Sequence, residues 1–273
     1  MLKTIYTCRH GFRMNWQGAE LFLPTGRPRD PVLTAHGLNQ ARDLARYIAS
    51  LPHEEQPQLI ISSPYYRCLQ TAQPTAKLLG LELVAEPGLA EWFPPAPLST
   101  GVHPVPARAA TMKEFVPTLS LSWSPLLYPP VEGETIPQLH ARARRILELI
   151  QQRCAELGVE RVLLCSHAAT LIAMGRVLLD DDGDGQRTVD INVGTATLSK
   201  YVRTASDAST WRQELNGDGS FLPHGPERNW EFAHVPDNVT EPGMGAGWID
   251  QELPASASTE RGRDPPPDRP SKL

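Results

Sequence analysis

A chain of 273 residues is long enough for one large domain, or for a medium one with a tail. An apolar fraction of 40% can still build a core, and a net charge of −5 argues against a general binder of nucleic acid or of a membrane surface. No apolar run approaches the roughly 18 residues of a membrane-crossing helix, and no charged-then-apolar leader opens the chain, so a soluble protein outside the usual secretory route is expected.

In chain order, the apolar run Leu2, Ile5, Tyr6 reads as a buried strand that ends in Arg9-His10-Gly11-Phe12-Arg13. Gly11 is expected to let the chain turn sharply there. A polar loop, 17–31, leads to Thr34, a helix N-cap before Leu38, Ala41, Leu44, Ala45 and Ile48 at helical spacing; Pro52 ends that helix. Gln58–Ile61 reads as a second buried strand. Ser63 followed by Pro64 predicts the cap and first position of a second helix, with Arg67 one turn in.

Leu81–Ala85 is a third predicted strand, followed by Glu91 among apolar neighbours. Residues 94–130 are irregular and rich in proline, which predicts a packed lid offering Trp92, Phe93, His103, Arg108, Lys113 and Trp123 to a ligand. Thr135 opens a helix that runs through Ile150. Arg161–Leu164 predicts a strand that enters a helix at Ser166-His167. The acidic turn 180–185 lacks the ligand spacing of a calcium loop. Asn192–Val202 alternates as an edge strand would, and Trp230–Phe232 suggests a short extra strand. The domain is therefore expected over 1–235, with its insertion at about 92–130, and a disordered tail over 236–273. Cys8, Cys68, Cys154 and Cys165 are widely spaced and include no CxxC pair, so reduced core thiols are expected instead of zinc ligands.

Four strand ends thus carry chemistry. Guanidiniums match phosphate oxygens with a fork of donors, so Arg9, Arg13 and Arg67 near helix amides predict an anion pocket. His10 and His167 sit at strand-to-turn junctions. Glu91, if buried, would have a raised pKa suited to a general acid. Taken singly each has an ordinary structural role: a basic turn, a solvated helix arginine, a loop carboxylate, a packed histidine.

Together Arg9-His10-Gly11, Ser62-Ser63-Pro64 before Arg67, Leu89-Ala90-Glu91 and Ser166-His167 resemble the histidine phosphatase superfamily, phosphoglycerate mutase-like branch. Leu33-Thr34 through Gln40-Ala41 and Glu132-Gly133-Glu134-Thr135 fit it as well, and the resemblance spans about residues 2–202. It implies an α/β fold, a three-layer α/β/α sandwich with a mostly parallel central sheet. It also implies a phosphomonoesterase. His10 would form a phosphohistidine, Arg9, Arg67 and His167 would hold the phosphoryl oxygens, and Glu91 would donate the proton. No metal and no organic cofactor is required by that chemistry.

Phe12-Arg13 replaces the Glu-Ser that usually follows Arg-His-Gly in the mutases, which ranks phosphatase above a mutase-type phosphotransferase. An arginine at that position is similar to the TULA/Sts-type phosphatases and makes Arg13 a further phosphate ligand. The opening Ile-Tyr-x-x-Arg-His-Gly-x-Arg-x-Asn-Trp, which brings Asn15 into the pocket, resembles fungal proteins related to the small subunit of RNA polymerase III transcription factor C. That resemblance implies, as the alternative, a non-catalytic assembly subunit with protein-complex partners and a nuclear location. The expected substrate is a phosphorylated small molecule or phosphopeptide, with no direct nucleic-acid or membrane contact. Ser271-Lys272-Leu273 matches a peroxisomal import signal, which implies an import receptor as partner and a peroxisomal or cytoplasmic location.

Overall fold

The apolar runs form the parallel part of one six-stranded sheet. β1 (Thr4–Arg9), β2 (Leu59–Ser62), β3 (Leu83–Ala85) and β4 (Arg161–Ser166) lie in the order β3-β2-β4-β1, every neighbouring pair parallel. β5 (Leu198–Arg203) and β6 (Trp211–Asp218) continue the sheet antiparallel beyond β1. The computed structural model describes residues 1–18, 23–180, 189–204, 210–236 and 238–244. Most of the acidic turn and the Ser271-Lys272-Leu273 tripeptide lie outside the described residues.

The helices are α1 (Ala35–Ser50), α2 (Tyr66–Leu79), the single turn α3 (Ala109–Met112), α4 (Ile136–Glu156) and α5 (Ala168–Leu178). Successive strand residues point to opposite faces, so a strand buried on both sides feeds two cores. Tyr6, Ile60, Leu163 and Cys165 pack with Leu44 and Ile48 of α1 and Leu69 of α2. Ile5, Ile61, Val162 and Leu164 pack with Ile146 and Ile150 of α4 and Leu171 of α5. The result is the three-layer α/β/α sandwich with a mostly parallel sheet.

Helix starts follow the local chemistry where a side chain is free to cap. The Thr34 hydroxyl accepts from Gly37 N at 3.0 Å, and Thr135 and Gln138 form a reciprocal capping box on α4. α2 differs from the expectation. It begins at Tyr66, Ser63 does not cap it, and the Asp30 carboxylate accepts from the Tyr66 amide at 2.9 and 3.1 Å. A distant loop thus does what the local serine was expected to do.

Two further expectations are corrected. The strand predicted near 192–202 is not an edge; Trp211–Asp218 covers it, a strand with too few apolar residues to announce itself. Trp230–Phe232 is no strand, and a 3-10 turn spans Phe232–His234. Part of the insertion packs against the β3 side of the sheet, and its 96–103 stretch is bonded to residues 131–132. Ser120 N donates to Leu83 O at 2.8 Å, and the buried Glu86 carboxylate accepts from Trp123 Nε1 and from the amides of Leu126 and Leu127. Past residue 235, where a tail was expected, residues 241–244 are tied back to the insertion; 245–273 lie outside the described residues.

Candidate active site

Arg9 is the last residue of β1, and His10 follows with its amide bonded to Ser166 O at 3.1 Å. The turn beyond packs backbone on backbone against α1. A Cβ on Gly11 would lie 2.7 Å from Gly37 O, and one on Gly37 would lie 2.2 Å from Phe12 O. Gly11 is not in the left-handed region; close approach, not a sharp turn, is what requires glycine there. This contact seats His10 between β1, β4 and the first turn of α1.

Around His10 the structure gathers the side chains that the sequence placed at separate strand ends. The His10 and His167 rings lie 5.4 Å apart. His167 Nδ1 is 3.1 Å from Arg67 Nη2 and 3.4 Å from Glu91 Oε2, and Arg67 Nη2 is itself 3.4 Å from Glu91 Oε2. Arg9, Arg13, Asn15, Arg67 and Glu91 line one cleft of about 540 Å³. Asn15 stands exposed at its rim. His10, Arg67 and His167 are almost wholly buried, whereas the Glu91 side chain keeps 21% of its surface.

The tautomer of His10 follows from its partner. Nδ1 lies 2.8 Å from Gly11 O, and a carbonyl only accepts, so Nδ1 carries the proton and Nε2 keeps its lone pair. Burial, and then the charges of Arg67, Arg9, His167 and Arg13, hold the imidazole well below its ordinary pKa. It is neutral near pH 7.

The guanidiniums crowd each other. Burial lowers Arg9 to about 10, with Arg13 and Arg67 pushing the same way against the pull of Glu91. Burial and Arg67 lower Arg13 to about 10 as well. Arg9, Arg13 and Arg67 each keep a buried Nε–H without a partner among the described residues. Cations held this close, with donors to spare, form a site for an oxyanion. Glu91 departs from expectation. Burial pushes its pKa up, but His167, Arg67 and Arg13 outweigh burial and hold it below the usual carboxylate range. His10, Glu91 and His167 also meet the spacing of a metal site, their ligand atoms lying within 4.8 Å of one another. Three guanidiniums beside a single carboxylate would repel a cation, so the donor set fits an anion better.

Several supporting residues were not legible as such. Asp30 receives Arg67 Nη1 at 3.4 Å, next to the Arg29 carbonyl at 3.1 Å. Ser63 Oγ lies 2.8 Å from His167 Nε2. Arg9 Nη1 donates to Val193 O at 2.9 Å and also to Arg228 O. Trp16 packs 5.8 Å from the His10 ring with the Arg13 guanidinium 4.6 Å from its centroid. Of the insertion residues expected at a ligand, Trp92 and Phe93 line the cleft. His103 bonds Pro94 O, Lys113 bonds Leu119 O, and Arg108 and Trp123 line a separate groove.

The sheet order defines an α/β sandwich that gathers two histidines, three guanidiniums and a carboxylate at its carboxyl edge. The chain belongs to the histidine phosphatase superfamily (branch 1), whose family model matches residues 5–214. It is 34% identical over 279 residues to the transcription factor tau 55 kDa subunit of Saccharomyces cerevisiae; the match covers 90% of this chain, which spans 61% of the length of that subunit. It is 28% identical over 219 residues to a probable phosphoglycerate mutase of Photorhabdus laumondii, covering 80% of this chain and 94% of that one. Among solved structures, the ecdysone phosphate phosphatase of Bombix mori in complex with tungstate superposes with a TM-score of 0.60 at 18% identity, covering 79% of this chain and 93% of that one. At such identity the likeness concerns the fold.

Proposed function

We propose that the chain is a phosphomonoesterase that works through a phosphohistidine. The observation that carries this reading is the Nδ1–H to Gly11 O bond, because it leaves a neutral His10 with a free Nε2 lone pair while the charges of Arg67, Arg9 and Arg13 act on the same ring. Nε2 attacks phosphorus, the bond to the leaving oxygen breaks, and Glu91 gives that oxygen its proton. Water then attacks the same phosphorus, Glu91 takes the proton, and the P–N bond breaks to return His10. Arg9, Arg13, Arg67 and His167 stabilise the charge on the oxygens in both steps, and Asn15 meets the substrate at the rim.

The depressed pKa of Glu91 belongs to the unliganded site. A bound phosphoryl group takes the same cations for itself and adds negative charge nearby. Burial then dominates, and the carboxyl gains a proton as the substrate arrives. The cage needs no metal or organic cofactor to do this.

Turnover of para-nitrophenyl phosphate by the full chain tests the reading. His10→Ala is expected to lower kcat at least a thousand-fold. Glu91→Gln is expected to slow phenyl phosphate more than the nitrophenyl ester, whose better leaving group needs the acid less. Phosphate release that survives His10→Ala would overturn the assignment.

One observation favours a second reading: the 34% identity to the yeast transcription factor subunit. In it the domain is an assembly module in the nucleus, whether or not its pocket turns over. Co-purification with transcription factor subunits, together with no turnover of any phosphate ester, would favour it. A receptor reading of Ser271-Lys272-Leu273 would direct the chain to peroxisomes instead, and a diffuse fluorescent fusion of the last residues would rule that out.

A further inference from the structure

Beyond the anion cage the cleft changes character. Its outer wall is Leu23, Pro31, Trp92, Phe93, Pro94 and Trp230. Apart from the caging arginines, the described residues that line it include one more cation, Arg29, and one carboxylate besides Glu91, Glu241. These two form an ion pair across the mouth, and the Arg29 guanidinium also lies 5.5 Å from the Phe93 ring centroid.

Glu241 is held in place by its own backbone. Its amide donates to Pro95 O at 3.2 Å, the Gly243 amide to Thr100 Oγ1 at 2.9 Å, and the Met244 amide to Val102 O at 2.8 Å. Gly243 lies so close to Gly101 that a Cβ on it would be 2.5 Å from the Gly101 carbonyl carbon. The segment therefore runs along the insertion and delivers one carboxylate to the cleft. The Arg29 and Glu241 side chains are 31% and 39% exposed, so the pair adds little to stability. Its effect lies in the charge that it presents to a ligand.

We infer that Arg29 and Glu241 form a charge gate that makes the cleft selective for monoesters with a broad, apolar leaving group bearing no second anion. This rests on the phosphomonoesterase reading and names its substrate class. A leaving group with its own carboxylate or phosphate finds the outer cation already neutralised and meets Glu241 besides. An aromatic leaving group meets the partly exposed Phe93 and Trp230, beside the buried Trp92, and removes them from water.

Glu241 is the residue to change, because Arg29 has a second task. It adopts a left-handed conformation, φ 58°, and its carbonyl orients Arg67. Replacing Arg29 would disturb the cage, whereas Glu241, among the described residues, bonds to Arg29 and to Pro95 O and to none of the caging groups.

The test compares benzylphosphonate with 4-carboxybenzylphosphonate, which differ by one carboxylate and bind without being turned over. Calorimetric Kd values for the full chain are expected to favour benzylphosphonate, which lacks the carboxylate, about ten-fold or more. Glu241→Gln is expected to shrink that ratio by about ten-fold, and Glu241→Lys to invert it. A ratio that stays the same in both variants, or a wild-type preference for the carboxylated ligand, overturns the gate. Because the readout is binding, the gate is decided even if phenyl phosphate is not hydrolysed, and that separate failure would count against the esterase reading alone.

Discussion

His10 shows how burial sets a residue's charge state. Its folded pKa lies well below the ordinary value of about 6.5, so below that pH only the unfolded chain binds the extra proton. The sign is therefore fixed: the contribution of His10 to stability is present above the unfolded pKa and is lost as pH falls through and below it. Urea unfolding from pH 7 to 5, in phosphate-free buffer, should show a steeper loss of stability in the wild type than in His10→Asn. The slopes should differ by up to about 1.4 kcal/mol per pH unit. Equal slopes would mean that His10 titrates alike in the folded and unfolded chains, against the buried neutral imidazole. At the same scale, Arg9-His10 and Ser166-His167 could be read from their strand-end positions. Glu91 was legible as a candidate but not in its pKa, because that depends on which cations reach it, and Arg67 and His167 are 24 and 76 positions away in sequence.

Among the elements, the loop that carries Glu91 is held from two sides. Arg142 of α4 donates to the carbonyls of Gly88 and Ala90 at 2.8 and 3.2 Å, and its Nε donates to both Glu134 oxygens. Thr170 of α5 donates to Ala90 O at 2.9 Å, and Trp92 Nε1 donates to Glu134 O at 2.7 Å. Arg142 is thus a positioning residue for Glu91. A lysine keeps the charge but cannot span two carbonyls and a carboxylate. Arg142→Lys is expected to lower kcat about ten-fold for phenyl phosphate and clearly less for para-nitrophenyl phosphate, with KM little changed. An equal loss for both esters would mean general disruption instead.

The β1–α1 contact makes a second prediction at this scale. The new methyl of Gly11→Ala meets backbone, which cannot step aside as a side chain can. About 1–3 kcal/mol of destabilisation is expected in urea unfolding, together with lost activity as His10 shifts. An unchanged midpoint would show that the turn has room. Helix and strand identity in this region was readable because caps and apolar spacing are local. α2 was the exception, since Asp30, 36 residues before Tyr66, serves its amide while Ser63 serves His167.

The whole molecule carries a net charge of −5, yet its cleft concentrates guanidiniums. Their mutual repulsion is a cost that an anion relieves. Orthovanadate or phosphate should therefore raise Tm, and saturation at 100 times Kd should add about 2.7 kcal/mol to stability. Arg67→Ala should abolish most of the shift, and an unshifted wild-type Tm at millimolar anion would argue against an anion cage.

From the sequence alone came the alternation of strands and helices and the residues at each strand end, while the three-layer sandwich came from the family resemblance that those residues carry. Element identity and strand ends depend on spacing and caps that act over a few positions. Tertiary structure alone decided how those ends meet. It brought Arg67 to His167 across 100 residues and Arg29 to Glu241 across 212, assigned the His10 tautomer, and reversed the expected shift of Glu91. The reason is physical: a pKa or an ion pair depends on distance through space and on burial, and neither is written in the order of neighbouring residues.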